Sequence, residues 1–409
     1  MSSSRRSEDP GGFAPADPQT RSLAGPREPR SFRAARSRGP LAAVLVALAI
    51  IAPGIHGQTR PTSKPMVSAG NGTLYVGSYK GVIFEIDEAT EKIKREIPVS
   101  VGIPIGLTLS DDMSRIYVRD AGYEKVEIID RLKGTSLGSF TLTEGKAKTR
   151  IWAVRPDPQH KTLILTIKKY TLESDRWVIG PPTLVQYDVE QRKIVRTIPW
   201  PKGEEREGVN VMFSPDGKLL YMFSEDILIY ETTNYTEVDR WEVTRPIEPG
   251  AGAIRIGALP QFGDEPGFYT AFFTMQDPVQ NRRIMGLGRI ELAKKKIDFH
   301  PIGPARGLGF AVAPDRKRGY GLLESIEDFE FWTFDLESYR VINRVPFKGR
   351  PRMGMRVSSN GNFLYIHTAG NTIDLYDTAT FTKQRTIELD GDMTGVLLVP
   401  PAKTATPGR

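Results

Sequence analysis

The residues able to do chemistry are few. The 409-residue chain has no cysteine and four histidines, His56, His160, His300 and His367. The missing thiols exclude disulfides, cysteine nucleophiles, thiolate zinc sites, iron–sulfur clusters and CxxCH haem attachment. No two histidines stand at HxxxH-type spacing, so no histidine pair is expected to share a metal. A Ser-His-Asp arrangement would have to use His367, and no GxSxG nucleophile motif accompanies it. Glycine-rich segments such as Gly250-Ala251-Gly252 and Gly303–Gly309 precede strand-like runs, so they lack the helix N-terminus that makes a phosphate cradle. The most conspicuous chemical repeat is acidic: Asp87, Asp130, Asp188, Glu231, Glu291, Asp335 and Asp377 each end an apolar run. Seven acids at one repeat position suit a structural task. A carboxylate in the first position of a turn accepts backbone N–H bonds and closes a hairpin.

The elements that position these acids also recur. A short strand returns at Leu74-Tyr75-Val76, Ile116-Tyr117-Val118, Leu163-Ile164-Leu165, Leu220-Tyr221-Met222, Phe268-Tyr269-Thr270, Gly319-Tyr320-Gly321 and Leu364-Tyr365-Ile366, in steps of 42 to 57 residues. Tight turns such as Ser214-Pro215-Asp216-Gly217 and Ser359-Asn360-Gly361-Asn362 precede most of them. The acid-ended strand follows, then an alternating strand such as Lys94–Val99. A more apolar fourth segment closes each repeat: Ile105–Leu109, Ile151–Val154, Val209–Phe213, Ile254–Leu259, Leu308–Val312, Met353–Val357 and Val396–Val399. Seven sets of four short strands define an all-β, seven-bladed β-propeller over residues 66–401. The apolar fourth segment becomes the innermost strand of the next blade. The chain ends on such a segment, so Val396–Val399 is expected to complete the first blade and close the ring.

The first 57 residues stand apart. Residues 1–38 are rich in Ser, Pro, Gly and Arg and read as disordered. Four arginines then precede Leu41–Ala52, twelve apolar residues, short of the ~20 a membrane span needs and suited to a signal peptide over about residues 39–57. An uncleaved anchor is the alternative, and membrane contact would then come only through this segment. Both place the body outside the cytoplasm, in the periplasm or secreted. Residues 402–409 read as a disordered tail. The leader's eight arginines against four acids hold +4 of the total +7, leaving +3 for the body. That balance, without a basic stripe, excludes a nucleic-acid footprint.

The pattern LYVGS…EID…TxKI…IPV…GxPxGLxLSDD…RIYV, from Leu74 to Val118, resembles the YVTN-type propeller repeat of secreted and periplasmic proteins. Three further features resemble the β-chain family of the quinohemoprotein amine dehydrogenases. They are the insertion Lys168–Gly180 before Thr183-Leu184-Val185-Gln186-Tyr187-Asp188, the stretch Phe268-Tyr269-Thr270-Ala271, and Phe334-Asp335-Leu336-Glu337 leading into Asn343-Arg344-Val345-Pro346. The resemblance implies a non-catalytic propeller subunit with no cofactor of its own. It implies a protein partner, with haem and a tryptophan-derived quinone carried by partner chains.

Propeller connectivity sorts the loops. Connections from outer to next inner strand share one face with second-to-third turns, and that face holds the elaborations Lys168–Pro182, Thr274–Arg283, Pro201–Gly208 and Pro246–Gly252. Function on a rigid scaffold concentrates in its longer loops. Candidate binding residues are therefore Tyr170, Arg176 and Trp177, an aromatic–arginine anchor, and the loop arginines Arg150, Arg306, Arg350 and Arg352. With Arg206, these form a partial ring at the channel mouth that an anion or acidic segment would neutralise. His160 is expected in a turn on the opposite face, His300 on an outer strand, and His367 at the end of a second strand near the binding face. Two alternatives to the partner-binding scaffold remain: a stand-alone lactonase- or lyase-like propeller using His367, and a free-standing binding protein for a small anion or cell-wall component.

Overall fold

The computed structural model describes residues 66–243, 252, 254–257, 267–277, 279–325 and 328–401. Chain contacts separate residues 1–64 from residues 65–409, and the second unit is the one described. The expected leader, signal peptide and tail, and the loop stretches 244–251 and 258–266, lie outside the described residues.

Seven four-stranded antiparallel sheets follow one another along the chain, each ordered inner, second, third, outer. Turn chemistry fixes the hairpins. Ser110, Ser214 and Ser358 each donate Oγ–H to Asp112, Asp216 or Asn360 and accept the N–H of the first residue of the next strand, Arg115, Leu219 or Phe363. The acids ending the third strands do as expected in six blades. Asp87, Asp130, Asp188, Glu231, Asp335 and Asp377 accept N–H bonds from turn residues three positions on. Glu291 instead pairs with Lys294 at 2.8 Å.

The ring closes through the termini of the described chain. Strand Met393–Val399 pairs with Thr73–Ser78 and forms the inner edge of the first blade. An apolar cluster fills every seam between successive blades, including that between the seventh and first, where Tyr365, Phe363 and Leu375 meet Leu74, Val76 and Phe84. The core is thus a ring of seven interfaces rather than one centre, which is why no blade can bury its apolar faces alone.

One expectation is corrected. Lys168–Pro182 is not a loop. It is a hairpin in which Thr162–Leu172 pairs with Trp177–Asp188, and the inner strand Ala147–Pro156 lengthens to match. The tyrosine repeat also breaks in the fifth blade. Tyr75, Tyr117, Tyr221, Tyr320 and Tyr365 pack toward the following blade, but Tyr269 packs backward and stacks on Phe223 of the fourth at 4.0 Å. A one-residue offset on a strand reverses every side chain, so Phe272 takes the forward position against Phe310 and Phe334.

Candidate functional site on the second-to-third turn face

The lengthened strands of the third blade project as a three-stranded extension from the expected binding face. Register places Leu172 opposite Trp177 and Ile179 opposite Tyr170, with Lys148 beside Tyr170 on the inner strand. Residues in register share a face of the sheet, so Leu172, Trp177, Ile179 and Tyr170 line one side. Three of them are left to solvent: Leu172 is 42% exposed, Trp177 45% and Ile179 58%. The Arg150 guanidinium lies 4.9 Å from the Tyr170 ring centre. Arg176 pairs with Glu173 in the hairpin tip at 3.1 Å, and Lys168 pairs with Glu207 of the adjoining loop at 3.1 Å.

Several of the arginines are engaged by the fold itself. Arg150 is not in a loop but on the inner strand, opposite Lys168. Arg206 grips Glu225 with two bonds of 2.9 and 2.7 Å and reaches Glu204 at 3.2 Å. Arg306 lies 3.7 Å from Asp328. Arg350 reaches the Thr372 hydroxyl at 3.5 Å. Arg352 is exposed, with a left-handed backbone at φ 63°. The fold therefore spends part of the expected positive field on its own carboxylates.

The histidines part company. On the opposite face, His160 Nε2 lies 2.9 Å from Asp112 Oδ2 and 3.4 Å from Ser114 Oγ, while Tyr117 OH meets Nδ1 at 3.2 Å. Serine, histidine and aspartate are together, yet hydroxyl and carboxylate converge on the same ring nitrogen. In a catalytic triad they occupy opposite nitrogens, so this group is a clamp between the second and third blades. Though partly desolvated, the Asp112 carboxyl is held far below its ordinary range by hydrogen bonds from Ser110, Ser114 and His160. His300 stacks on Tyr339 at 3.9 Å. His367 ends the second strand of the seventh blade and lies over Gly354, its register partner. Burial first, and the nearby Arg356 charge second, push its imidazole down to about 3. A neutral, enclosed imidazole is poorly placed to shuttle protons with a substrate.

One group near the axis escaped the sequence reading. Trp152 sits in a bulge of the inner strand of the third blade and is 39% exposed. Its ring packs on Tyr123 of the second blade with centroids 4.6 Å apart. Arg119 donates to the Trp152 carbonyl at 2.5 Å and lies 5.4 Å from the Tyr123 ring. A bulged residue breaks the alternation that sequence patterns rely on, and no period in the sequence marks it. More broadly, the seven inner strands carry Lys148, Arg150, Arg155, Arg255 and Arg356 and no Asp or Glu. Among the described residues, no three His, Asp or Glu side chains gather as a metal site. No helix among them is long and apolar enough to cross a membrane.

Comparison with solved structures supports the fold. The chain is similar to a functionally unknown protein from Desulfotomaculum acetoxidans, with a TM-score of 0.50 and 14% identity, covering 81% of this chain and 100% of that one. It is also similar to apo AztD from Citrobacter koseri (TM-score 0.49, 14% identity, 80% of this chain and 98% of that one). A third similar structure is Kuenenia stuttgartiensis hydrazine synthase (TM-score 0.45, 15% identity, 82% and 99%). No family model matches the chain, and no curated protein matches it.

Proposed function

We propose that the chain is an extracytoplasmic propeller scaffold that docks a protein partner through the projecting sheet of its third blade. The observation that carries this reading is the exposure of Leu172, Trp177 and Ile179 on one side of that sheet. Apolar aromatic anchors beside arginine are the residue types that dominate binding energy at protein interfaces. The apolar run Leu41–Ala52 supports export, as a signal peptide or as an anchor that leaves the propeller outside. In its specific form the scaffold is a β-type subunit of an assembly like the quinohemoprotein amine dehydrogenases, with haem and tryptophan-derived quinone held by partner chains. The absence of cysteine fits a chain that holds neither thioether haem nor thioether crosslinks.

The test is mild purification of the tagged full chain from its native host, with haem absorbance and quinone redox staining on the same fractions. The expected result is a haem- and quinone-positive complex that Ile179→Asp with Trp177→Ala dissociates. A colourless species that no partner accompanies overturns the subunit reading. A complex that survives the double substitution overturns the docking surface.

A further inference from the structure

The outer edge of the projecting sheet is unpaired. The outermost strand of the third blade pairs with its neighbour only from Leu184 to Asp188, so no described strand continues the ladder beside Trp177–Ile179. The direction of the main chain along that edge follows from the hairpin tip. Glu173 donates its N–H to the Arg176 carbonyl at 2.9 Å, and Leu172 donates on its far side to the Lys146 carbonyl at 3.1 Å. Leu172 therefore turns its main chain away from its register partner Trp177, and Trp177 turns away from Leu172. Hydrogen-bonded and open pairs alternate along an antiparallel ladder. Val178 thus exchanges bonds with Thr171, while Ile179, opposite Tyr170, points outward like Trp177. The N–H and C=O groups of Trp177 and Ile179 face the open edge.

Protein sheet edges are ordinarily blunted by charge, proline or a bulge. Here those devices stand at the foot of the hairpin. The register shifts between Ile179 and Pro182, the Pro182 carbonyl takes the Trp200 indole N–H at 3.1 Å, and the Pro181 carbonyl takes the Thr183 hydroxyl at 3.4 Å. Above them, Trp177, Val178 and Ile179 carry no charge. Val178, on the opposite side of the sheet from Trp177, is itself 40% exposed. Charge changes sign along the hairpin. Its tip holds Glu173, Asp175 and Arg176, and Arg176 is bound to Glu173, so exposed Asp175 sets the sign there. Its foot holds Lys168, paired with Glu207, and the exposed Lys169.

We infer that two copies of this chain pair edge to edge through Trp177–Ile179, antiparallel about a two-fold axis at Val178. The segment is complementary to itself, as a two-fold interface requires. Trp177 meets the partner's Ile179 and Ile179 meets the partner's Trp177. All of these main chains point outward, so each pair exchanges both of its N–H···O=C bonds. Val178 faces the partner's Val178 as a non-hydrogen-bonded pair, with Cα atoms about 4.5 Å apart. The antiparallel direction sets the tip of each hairpin beside the foot of the other, bringing Asp175 toward the partner's Lys169. With the axis normal to the sheet, Leu172, Trp177 and Ile179 of both copies emerge on one side of a continuous sheet. The pairing uses the edge of the sheet and does not depend on what its face docks.

The test is sedimentation of the full chain over a concentration series, with thermal midpoints reporting the fold. Reversible monomer–dimer association is expected. Ile179→Pro removes an outward N–H from each copy and no bond within the hairpin. It is expected to weaken association roughly tenfold or more, with the midpoint unchanged. The chain has no cysteine, so Val178→Cys places a single thiol at the axis. Mild oxidation is expected to link it into a disulfide dimer. Leu137→Cys, comparably exposed on the outer strand of the second blade, is expected to stay monomeric. Should Ile179→Pro lower the midpoint, Val178→Cys decides. A dimer that Ile179→Pro leaves equally tight, or equal crosslinking of the two cysteine variants, overturns the pairing. A chain that is monomeric at every concentration yet still captures its haem- and quinone-positive complex overturns the pairing and leaves the docking face standing.

Discussion

Tyr365 OH donates to Glu88 Oε1 at 3.1 Å across the seam between the seventh and first blades, joining residues 277 apart in sequence. The same buried carboxylate accepts the N–H of Ser359 at 2.8 Å, the N–H of Gly72 at 2.6 Å and the Ser359 hydroxyl. Burial, reinforced by that neighbouring charge, raises the Tyr365 pKa and keeps the phenol protonated. Glu88→Ala would take the acceptor from the Ser359 N–H, the Ser359 hydroxyl and the Tyr365 phenol, and leave the Gly72 N–H only its 3.2 Å bond to Ser359 Oγ, at about 1–3 kcal/mol for each buried donor left unpaired. Tyr365→Phe removes one donor of four and should cost only about 1 kcal/mol. Urea midpoints check the order. Equal effects from the two substitutions would mean that the seam closes by apolar packing alone.

The His367–Gly354 contact gives a pH dependence. The imidazole is neutral in the fold down to about pH 3, whereas in the unfolded chain it protonates near ~6.5. Its folded pKa is depressed, so the unfolded state takes up the proton first as pH falls. Stability attributable to this residue is complete above pH ~6.5 and declines between that value and about 3, by up to about 1.4 kcal/mol per unit. His367→Phe should flatten this acid limb in a series of denaturation curves. Gly354→Ala brings a Cβ to 2.5 Å from Nε2 and should cost about 1–3 kcal/mol, mostly recovered in a Gly354→Ala/His367→Ala double variant. An acid limb unchanged by His367→Phe would show that other groups govern it.

Ser114, His160 and Asp112 invite a different check. Ser114 Oγ donates to Asp112 Oδ2 at 2.7 Å, so its proton already has a carboxylate acceptor. The imidazole nitrogen nearest to it is shared with the same aspartate. No base is free to activate the hydroxyl. A fluorophosphonate probe should leave Ser114 unlabelled, and His160→Ala should lower the thermal midpoint. Stoichiometric labelling of Ser114 would reverse the assignment and give that face a hydrolytic role.

What was legible in the sequence is what repeats. The turn acids from Asp87 to Asp377, the tight turns at Ser214–Gly217 and Ser359–Asn362, and the terminal Val396–Val399 segment each follow from local chemistry, and local chemistry recurs with the blade. Non-repeating features stayed hidden. The hairpin at Lys168–Pro182 looked like a loop because Pro181, Pro182 and Gly180 are turn residues elsewhere. Here they fall at a register shift between Ile179 and Pro182, where the ladder is already interrupted. The reversal of Tyr269 depends on a one-residue offset that a triplet match tolerates. Arg119, Tyr123 and Trp152 come from two blades and a bulge, and their meeting is a property of the seam.

The projecting sheet of the third blade should be separable from the fold that carries it. Beyond the pair Lys168–Pro182, its residues are mostly exposed, and Thr149 on the inner strand is the buried exception. Little apolar area is lost by shortening it, so little stability should go with it. Replacing residues 169–181 with Asn-Gly joins Lys168 to Pro182 through a two-residue turn of the type that matches strand twist. The shortened protein is expected to unfold in one transition with a midpoint close to that of the full chain, because the inter-blade clusters around Ile164, Leu184 and Val211 are untouched. It should also lose the partner that the full chain retains. A shortened chain that unfolds at much lower urea would make the hairpin a structural brace of the third blade. One that folds and still binds its partner would move the docking surface elsewhere on the ring.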